Sequence, residues 1–411
     1  MHSTSTSYPK DKIKILLLEG INESAVDTFQ KAGYTSITHM KGALQGDELN
    51  EALAEHRILG IRSKTQITKE VITANPQLLA MACFCIGTNQ VDLERANEHG
   101  LAVFNSPFSN TRSVAELVIG SAIMLNRQIP QKNWDAHQGI WQKSHINSFE
   151  LRGKTMAIIG YGRIGSQVSV LAEALGMHIK YYDIETKLPL GNAQPCETMS
   201  ECLSGAHVVS LHVPATEATH YFFTDEILSS LEEHSVFINM SRGNVVDIEA
   251  LKKHLESGHI RGAALDVFPE EPKSMKDTFS SPLQGMSQVI LSPHVGGSTE
   301  EAQYNIGIDA ASKMIRYIET GSSFGSQSIP EISLPQLEGT HRILHIHRNM
   351  PGVLSSINSA LSEHSINVQG QYLMTNNDIG YVALDVPKSA SAETLTALKD
   401  LEHTVRARVL F

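Results

Sequence analysis

Cysteine is scarce in this chain: Cys83, Cys85, Cys196 and Cys202 are the whole complement of 411 residues. Four thiols in so long a chain do not make a disulfide scaffold, and a reducing compartment, the cytoplasm, is the expected setting. They do not make a metal site either. Cys83 and Cys85 fall on one face of an apolar run, where buried free thiols are common, and nothing nearby completes a spaced ligand set, so no metal is expected. Long apolar runs are also missing. Residues 13–18 form a stretch about one strand long, against the roughly 20 residues needed to cross a bilayer, and no segment reads as a secretory signal. A membrane is therefore not an expected partner. Basic charge is not in excess: Lys and Arg number 33 against 44 Asp and Glu, for a net charge of −11. Nucleic-acid-binding domains are usually basic, so nucleic acid is not expected as a partner, while a local basic pocket for an anionic metabolite stays open. No short-period repeat of the solenoid type is present. The first ten residues are rich in Ser and Thr, carry a proline, and read as a disordered leader.

What is there is the composition of a soluble globular chain, 41% hydrophobic and 19% charged. At this length two or three domains are expected. Strand-like and helix-like runs alternate through 12–19, 24–32, 58–62, 79–85 and 102–105, an α/β pattern. A long amphipathic helix follows over 113–127, with Val114, Leu117, Val118, Ala122 and Leu125 at helical spacing. Apolar strands are predicted at 155–160, 178–183, 207–213, 236–240, 262–267 and 289–291. Near-continuous apolar strands joined by helices suggest a doubly wound parallel sheet covered on both faces. A helix over 300–320 precedes a Gly-, Ser- and Pro-rich stretch, 321–337, that reads as a linker. Beyond it, strands at 342–346, 367–375, 380–385 and 405–411 and helices at 352–362 and 392–401 follow the order of a ferredoxin-like split βαβ unit.

The first chemical motif is Gly160-Tyr161-Gly162-Arg163-Ile164-Gly165. A GxGxxG string alone is weak, but here a strand at 156–159 precedes it and a helix over 167–175 follows. Gly160 permits the tight turn, Gly162 lets the backbone approach a pyrophosphate, and Gly165 lets helix and strand pack closely, with the helix N-terminus facing the phosphates. Asp183 ends the next strand about 20 residues on, where an acid bonds the ribose hydroxyls and repels a 2′-phosphate, so NAD is the expected cofactor. A glycine turn followed by a capping aspartate is the bland alternative.

Oxidising a secondary alcohol by hydride removal needs a base for the hydroxyl proton, a cation for the neighbouring carboxylate, and a partner to orient the base. Three segments offer these just past predicted strands: Arg242 in Ile238-Asn239-Met240-Ser241-Arg242-Gly243, Glu271 in Asp266-Val267-Phe268-Pro269-Glu270-Glu271-Pro272, and His294 in Ser292-Pro293-His294-Val295-Gly296-Gly297. Singly, each has an ordinary reading as a surface charge or one of 19 histidines. At three successive carboxyl ends of a parallel sheet they converge on the ligand crevice.

In these motifs the chain resembles the phosphoglycerate-oxidising members of the D-2-hydroxyacid dehydrogenase family, of the shorter bacterial and fungal type. The resemblance runs from about Lys12 to Phe411 and is carried by IIGYGRIGSQ, YYDIETKLPLGNA, VVSLHVP, SRGNVVDI, ALDVFPEEP, SPHVGGSTEEAQ and HIHRNMPGVL. It implies a Rossmann-like domain (110–296) inserted in a flavodoxin-like α/β substrate domain (1–109 and 297–336), with a C-terminal ACT domain (339–411). It implies that Arg242, Glu271 and His294 are catalytic and that NAD is held by the glycine turn, Arg163, Ile164, Asp183, Met240, Ser241, Asp266 and the turn ending in Gly296 and Gly297. The implied substrate is 3-phosphoglycerate, oxidised to 3-phosphohydroxypyruvate at the entry to serine synthesis. Arg62, Ser63 and Asn110 are implied in its cleft, joined by Lys64, which stands where related bacterial chains have arginine and so keeps the charge but not the planar fork. Lys41 and Lys143 are further candidate cations, each with an equal reading as a solvated surface charge. Some relatives of this type also reduce 2-oxoglutarate.

In the last segment His341, His345 and His347 share strand parity, so one face carries all three. A metal is the tempting reading, but no cysteine or carboxylate completes the set. The resemblance instead implies an ACT sensor that binds L-serine through His347, Asn349 and Asn367 and inhibits, with a hinge near Gly339. Related chains can carry paired glycines there; this one has Glu338-Gly339. The helix over 113–127 and a loop with Trp134 and Trp141 resemble the family's dimer contact, and paired sensor domains would make a homotetramer. The alternatives are another D-2-hydroxyacid dehydrogenase, such as a glyoxylate or hydroxypyruvate reductase, and a non-enzymatic NADH-sensing corepressor.

Overall fold

A computed structural model describes residues 9–272, 277–335 and 339–410. The chain divides into two compact units, one formed by Met1–Ser109 with Gln303–Phe411 and the other by Asn110–Ala302.

The first unit opens with a parallel sheet of β1 (Ile15–Leu17), β2 (Ile37–His39), β3 (Ile58–Ile61), β4 (Ala80–Cys83) and β5 (Ala102–Asn105), in the order β2-β1-β3-β4-β5. This is the flavodoxin-like order. Every residue of β3, β4 and β5 is buried, as expected where helices cover both faces of a parallel sheet. Alternate residues feed two cores. Ile15, Leu17, Ile58, Ala80, Ala82 and Phe104 meet Ala310, Met314 and Tyr317 of the long C-terminal helix. On the opposite face Leu16, Leu59, Ile61, Met81 and Val103 meet Leu49, Leu53, Val71 and Ile72. β2 has no counterpart among the predicted strands: it is a three-residue edge strand, Ile-Thr-His, without an apolar run.

The second unit holds a parallel sheet of β6 (Thr155–Ile159), β7 (His178–Tyr182), β8 (Gln194–Pro195), β9 (Val208–Leu211), β10 (Ser235–Asn239), β11 (Ile260–Leu265) and β12 (Val289–Leu291). Their order is β12-β11-β10-β9-β6-β7-β8. The order reverses at β6, which pairs with β7 on one side and β9 on the other, so the Rossmann crevice opens at its carboxyl end. The expected loop carrying Trp134 is instead a helix, Ile129–His137. Gln128 breaks the preceding helix with φ +55, and Pro130 suits the first turn of the new one, where a missing N–H is harmless. Trp134 and Trp141 are 62% and 86% exposed.

The third sheet returns to the first unit. β13 (His341–Arg348), β14 (Gly370–Thr375), β15 (Ile379–Val386) and β16 (Thr404–Leu410) pair antiparallel in the order β14-β15-β13-β16, with helices Val353–Glu363 and Ser391–Lys399 between them. The period-2 alternation sorts the faces. Ile343, Val382 and Leu384 pack on Val353, Ile357, Leu361 and Leu398 of the helices. Leu344, Ile346, Tyr381 and Ala383 join the core around Tyr317.

Two expectations are corrected here. The Gly/Ser/Pro-rich stretch is not a solvated linker over 321–335, because its serines bond to backbone. Ser328 Oγ donates to Leu101 O at 2.6 Å and accepts from Val103 N at 2.9 Å. Gln327 N donates to Val103 O at 2.7 Å, and Ser323 Oγ bonds Pro330 O at 2.6 Å. Small hydroxylated residues let this backbone lie against β5 while satisfying its polar groups. Within the presumed leader, Lys10 is tied down: its ammonium pairs with Glu319 and bonds Ala32 O at 3.0 Å. Residues 1–8 lie outside the described residues, as does Glu338 of the expected hinge; Gly339 has φ +71.

Arg342 anchors the start of β13. Fully buried, it forks onto Asp385 at 2.7 and 2.8 Å and gives its remaining amino group to Thr320 O and Pro335 O, each at 2.9 Å. The rings of His345 and His347 stack with centroids 5.5 Å apart, while His341 bonds Ser391 Oγ at 2.9 Å. No group of three or more metal-capable side chains comes together among the described residues.

Candidate active site

The glycine turn connects β6 to the helix Arg163–Ala174, which starts directly after Gly162, four residues earlier than expected. Gly160 has φ +92, and a Cβ there would stand 2.4 Å from His212 O. A Cβ on Gly165 would stand 2.1 Å from Gly160 O. Both positions therefore exclude any side chain. Nothing lies within 4 Å of where a Cβ of Gly162 would be, so the backbone is open to a ligand at the helix N-terminus, beside Arg163 and Ile164. A pyrophosphate fits such a cradle of N–H groups. Asp183, just past β7, accepts from Tyr161 N at 2.7 Å and Glu185 N at 2.9 Å. These bonds hold its carboxylate beside the glycine turn, in the position suited to ribose hydroxyls.

Past β10, Asn239 organises the next turn. Its Oδ1 accepts from Ser241 N at 3.1 Å and Ser241 Oγ at 2.8 Å, while its amide donates to Arg242 O at 2.9 Å. Met240 and Ser241 are buried. Arg242 is exposed, spends one amino group on Ser241 O at 2.7 Å, and meets no carboxylate among the described residues. Its fork is left open for an anion. Gly243 is required because a Cβ there would stand 1.9 Å from the Phe268 carbonyl carbon.

Past β11 and β12, two segments meet. His294 Nδ1 and Glu271 Oε2 are 2.8 Å apart, and Glu271 Oε1 accepts from Phe268 N at 3.1 Å. A carboxylate is acceptor only, so Nδ1 carries the hydrogen and Nε2 is left as the basic nitrogen. His294 adopts φ +54, a left-handed backbone uncommon outside glycine. Asp266, 2% exposed, holds that turn: Oδ1 accepts from Ser292 Oγ at 2.6 Å and Val295 N at 2.9 Å, and Oδ2 from Gly296 N at 2.7 Å. Gly297 packs on Asn110, whose amide would lie 2.1 Å from a Cβ there. Asn110 is thus brought beside the His294 turn, and its buried Oδ1 has no partner among the described residues.

In the first unit Arg62, Ser63 and Lys64 follow β3 in a turn set by a residue the sequence reading missed. Glu19 is buried with φ +62, and its carboxylate accepts from Lys64 N at 3.0 Å and Thr65 N at 2.8 Å. Burial would raise its pKa, but N–H groups from Thr65, Lys64 and Arg62 outweigh this and hold it below the usual carboxylate range. Arg62 is half-buried; Ser63, Lys64, Lys41 and Lys143 are exposed. His212, at the end of β9, was also missed. Ser210 Oγ lies 2.9 Å from its Nε2, and burial pushes its pKa down to about 3, so it is neutral.

Of the residues implied for an effector, His347 is buried, bonds Arg348 O at 2.8 Å, and leaves Nε2 without a partner among the described residues. Asn349 is exposed and donates to Asn376 O at 2.7 Å. Asn367 is exposed three residues before β14, and among the described residues no hydrogen bond joins it to either.

Residues 119–296 match the D-isomer specific 2-hydroxyacid dehydrogenase NAD binding domain, and residues 343–406 the acetohydroxyacid synthase small-subunit-like ACT domain. The chain is 50% identical over 409 residues to D-3-phosphoglycerate dehydrogenase of Haemophilus influenzae, covering 100% of both chains. It is 48% identical over 407 residues to the Escherichia coli K12 enzyme of the same name, covering 98% of this chain and 99% of that one. The solved D-2-hydroxyisocaproate dehydrogenase shares the fold at TM-score 0.71 and 20% identity, over 77% of this chain and all of that one. The open glycine turn, the aspartate beside it and the His–Glu pair thus sit in an NAD-dependent D-2-hydroxyacid dehydrogenase, and the chain belongs to the D-3-phosphoglycerate dehydrogenase family.

Proposed function

We propose that this chain oxidises D-3-phosphoglycerate to 3-phosphohydroxypyruvate in the cytoplasm, as the first step of L-serine synthesis. The observation that carries the chemistry is the 2.8 Å contact of His294 Nδ1 with Glu271. The full-length likeness to enzymes named for this substrate supports its identity. NAD⁺, when bound at the glycine turn and Asp183, supplies the hydride acceptor. His294 Nε2 takes the C2 hydroxyl proton, and Glu271 holds the ring and stabilises the imidazolium. Arg242 grips the substrate carboxylate through its open fork. Arg62, Ser63, Lys64 and Asn110 bind the substrate, with Lys64 a point charge for the phosphate. Met240, Ser241, Gly296 and Gly297 contact the cofactor, while Asp266 has the further task of holding the His294 turn.

The ACT domain binds L-serine through His347, Asn349 and Asn367 and lowers turnover, in a homotetramer. Reduction of 2-oxoglutarate at the same site follows from its α-oxo acid chemistry. NADH formation from D-3-phosphoglycerate, measured with and without serine, tests both parts. His294→Ala is expected to abolish turnover while leaving NADH binding intact; unchanged turnover sinks the assignment of the base. Serine that neither binds nor inhibits sinks the effector role.

A further inference from the structure

Where the helix Leu93–Glu98 meets the ends of β13 and β16, the first unit has a solvent-open pocket of about 440 Å³. Its lining includes Glu98, His99, Arg348, His403 and Arg406. The charges there do not balance. Arg406 is half-buried, donates to Leu78 O at 2.6 Å and Pro76 O at 2.8 Å, and meets no carboxylate among the described residues. Arg348 forms no ion pair among them either. Arg57 and Arg408 add like charge near Arg406. The acid in the lining, Glu98, is bound to Arg95 at 2.6 Å and attracts Arg348 from further off without pairing with it, and the exposed Glu402 reaches His403 loosely, at 3.9 Å.

We propose that this pocket is a binding site for a phosphate-class oxyanion. A half-buried guanidinium without a counter-ion is unfavourable, and its neighbours here repel it. Arg348, which is exposed, and Arg406, whose two terminal amino groups each keep one N–H beyond the bond to a backbone carbonyl, line the pocket from different strands, and His99 and His403 add ring N–H donors. Several donors around one pocket suit a tetrahedral anion with three or four acceptor oxygens better than a planar carboxylate. The occupant would tie β13 and β16 to the end of the helix Leu93–Glu98. It would do so at Arg348, between His347 and Asn349, which gives the site a route to the effector strand. The site itself stands independently of the proposed catalysis.

The test uses the full chain and inorganic phosphate, with chloride at matched ionic strength as control, and reads the melting temperature. Phosphate is expected to raise it saturably beyond chloride. Arg348→Gln should weaken the apparent phosphate affinity roughly tenfold or more, as removal of a charge-assisted contact does. His403→Asn, which tolerates the positive φ of 73° at that position, should weaken it less. Arg62→Gln, which removes a cation from the proposed substrate site, should leave the response in place. A larger Arg348-dependent shift with glycerol 3-phosphate makes a phosphomonoester the occupant, and a smaller one makes it the free ion; both support the site. A response equal to chloride, or one lost in R62Q and retained in R348Q and H403N, overturns the proposal.

Discussion

Replacing Glu271 with glutamine tests the catalytic geometry most directly, because it removes a charge while keeping shape. The bond it alters is the 2.8 Å contact to His294 Nδ1. A hydrogen bond to a charged group contributes about 1.5–3 kcal/mol. His294 and Glu271 are 52% and 35% exposed, so solvent screening puts this pair toward the lower end. Glutamine still offers a neutral acceptor, which retains roughly half of a charge-assisted bond. The net loss, realised as the imidazolium forms in the transition state, is about 0.75–1 kcal/mol, or roughly four- to fivefold in kcat. Glu271→Ala removes the acceptor as well, about 1.5–2 kcal/mol, and should lose about 10- to 30-fold. The assay is the initial rate of NADH formation with D-3-phosphoglycerate, alongside a fluorescence titration of NADH. KM and NADH affinity should change little, because the bond acts on the base rather than on binding. If E271Q keeps full kcat, or loses only KM, the pair does not position the base and the reasoning fails.

Three further outcomes follow from contacts described above. Glu19→Gln should lower stability at pH 7 by about 1–3 kcal/mol and raise KM, since the 62–65 turn loses its anchor. Because the folded carboxyl titrates below its ordinary value of 4.5, that stability is present above 4.5 and disappears as pH falls through the folded value; melting curves of the two proteins should converge in acid, and a constant gap would count against the account. Asp183→Ala should cut the kcat/KM preference for NAD over NADP by roughly ten- to a hundredfold, as repulsion of a 2′-phosphate is removed; an unchanged ratio would place the discrimination elsewhere. Arg342→Met leaves the partly buried Asp385 without its partner and should cost about 3 kcal/mol by denaturant unfolding, whereas a loss under 1 kcal/mol would mean that the fork onto Asp385 and the two carbonyls contributes little.

The strands that carry the candidate active site were legible because a doubly covered parallel strand writes itself as an unbroken apolar run, as in Val236–Ile238 and Met156–Ile159. The turn residues were legible too, since glycine at 160 and 165 has a steric reason that no other residue meets. What escaped has physical reasons of its own. Glu19 and Asn239 act through backbone N–H and C=O groups of other segments, and nothing in an isolated Glu or Asn announces such a partner. The edge strand β2 lacks an apolar run. The stretch 321–335 has the composition of a flexible connector, yet its serines satisfy buried backbone, and composition alone does not distinguish the two.

That stretch has a practical consequence. β5 is an outer strand of its sheet, and residues 326–328 occupy the hydrogen-bonding groups of Leu101 and Val103 along it. An uncovered strand of this kind is a template for pairing with another chain. Removing the C-terminal domain by cutting before Gly321 would strip that cover and leave a product prone to self-association. Cutting after Pro335 would keep this cover on β5 in place, although it would still bare the core around Tyr317 that Leu344, Ile346 and Tyr381 fill. The segment that protects β5 therefore runs some fifteen residues past the end of the long helix.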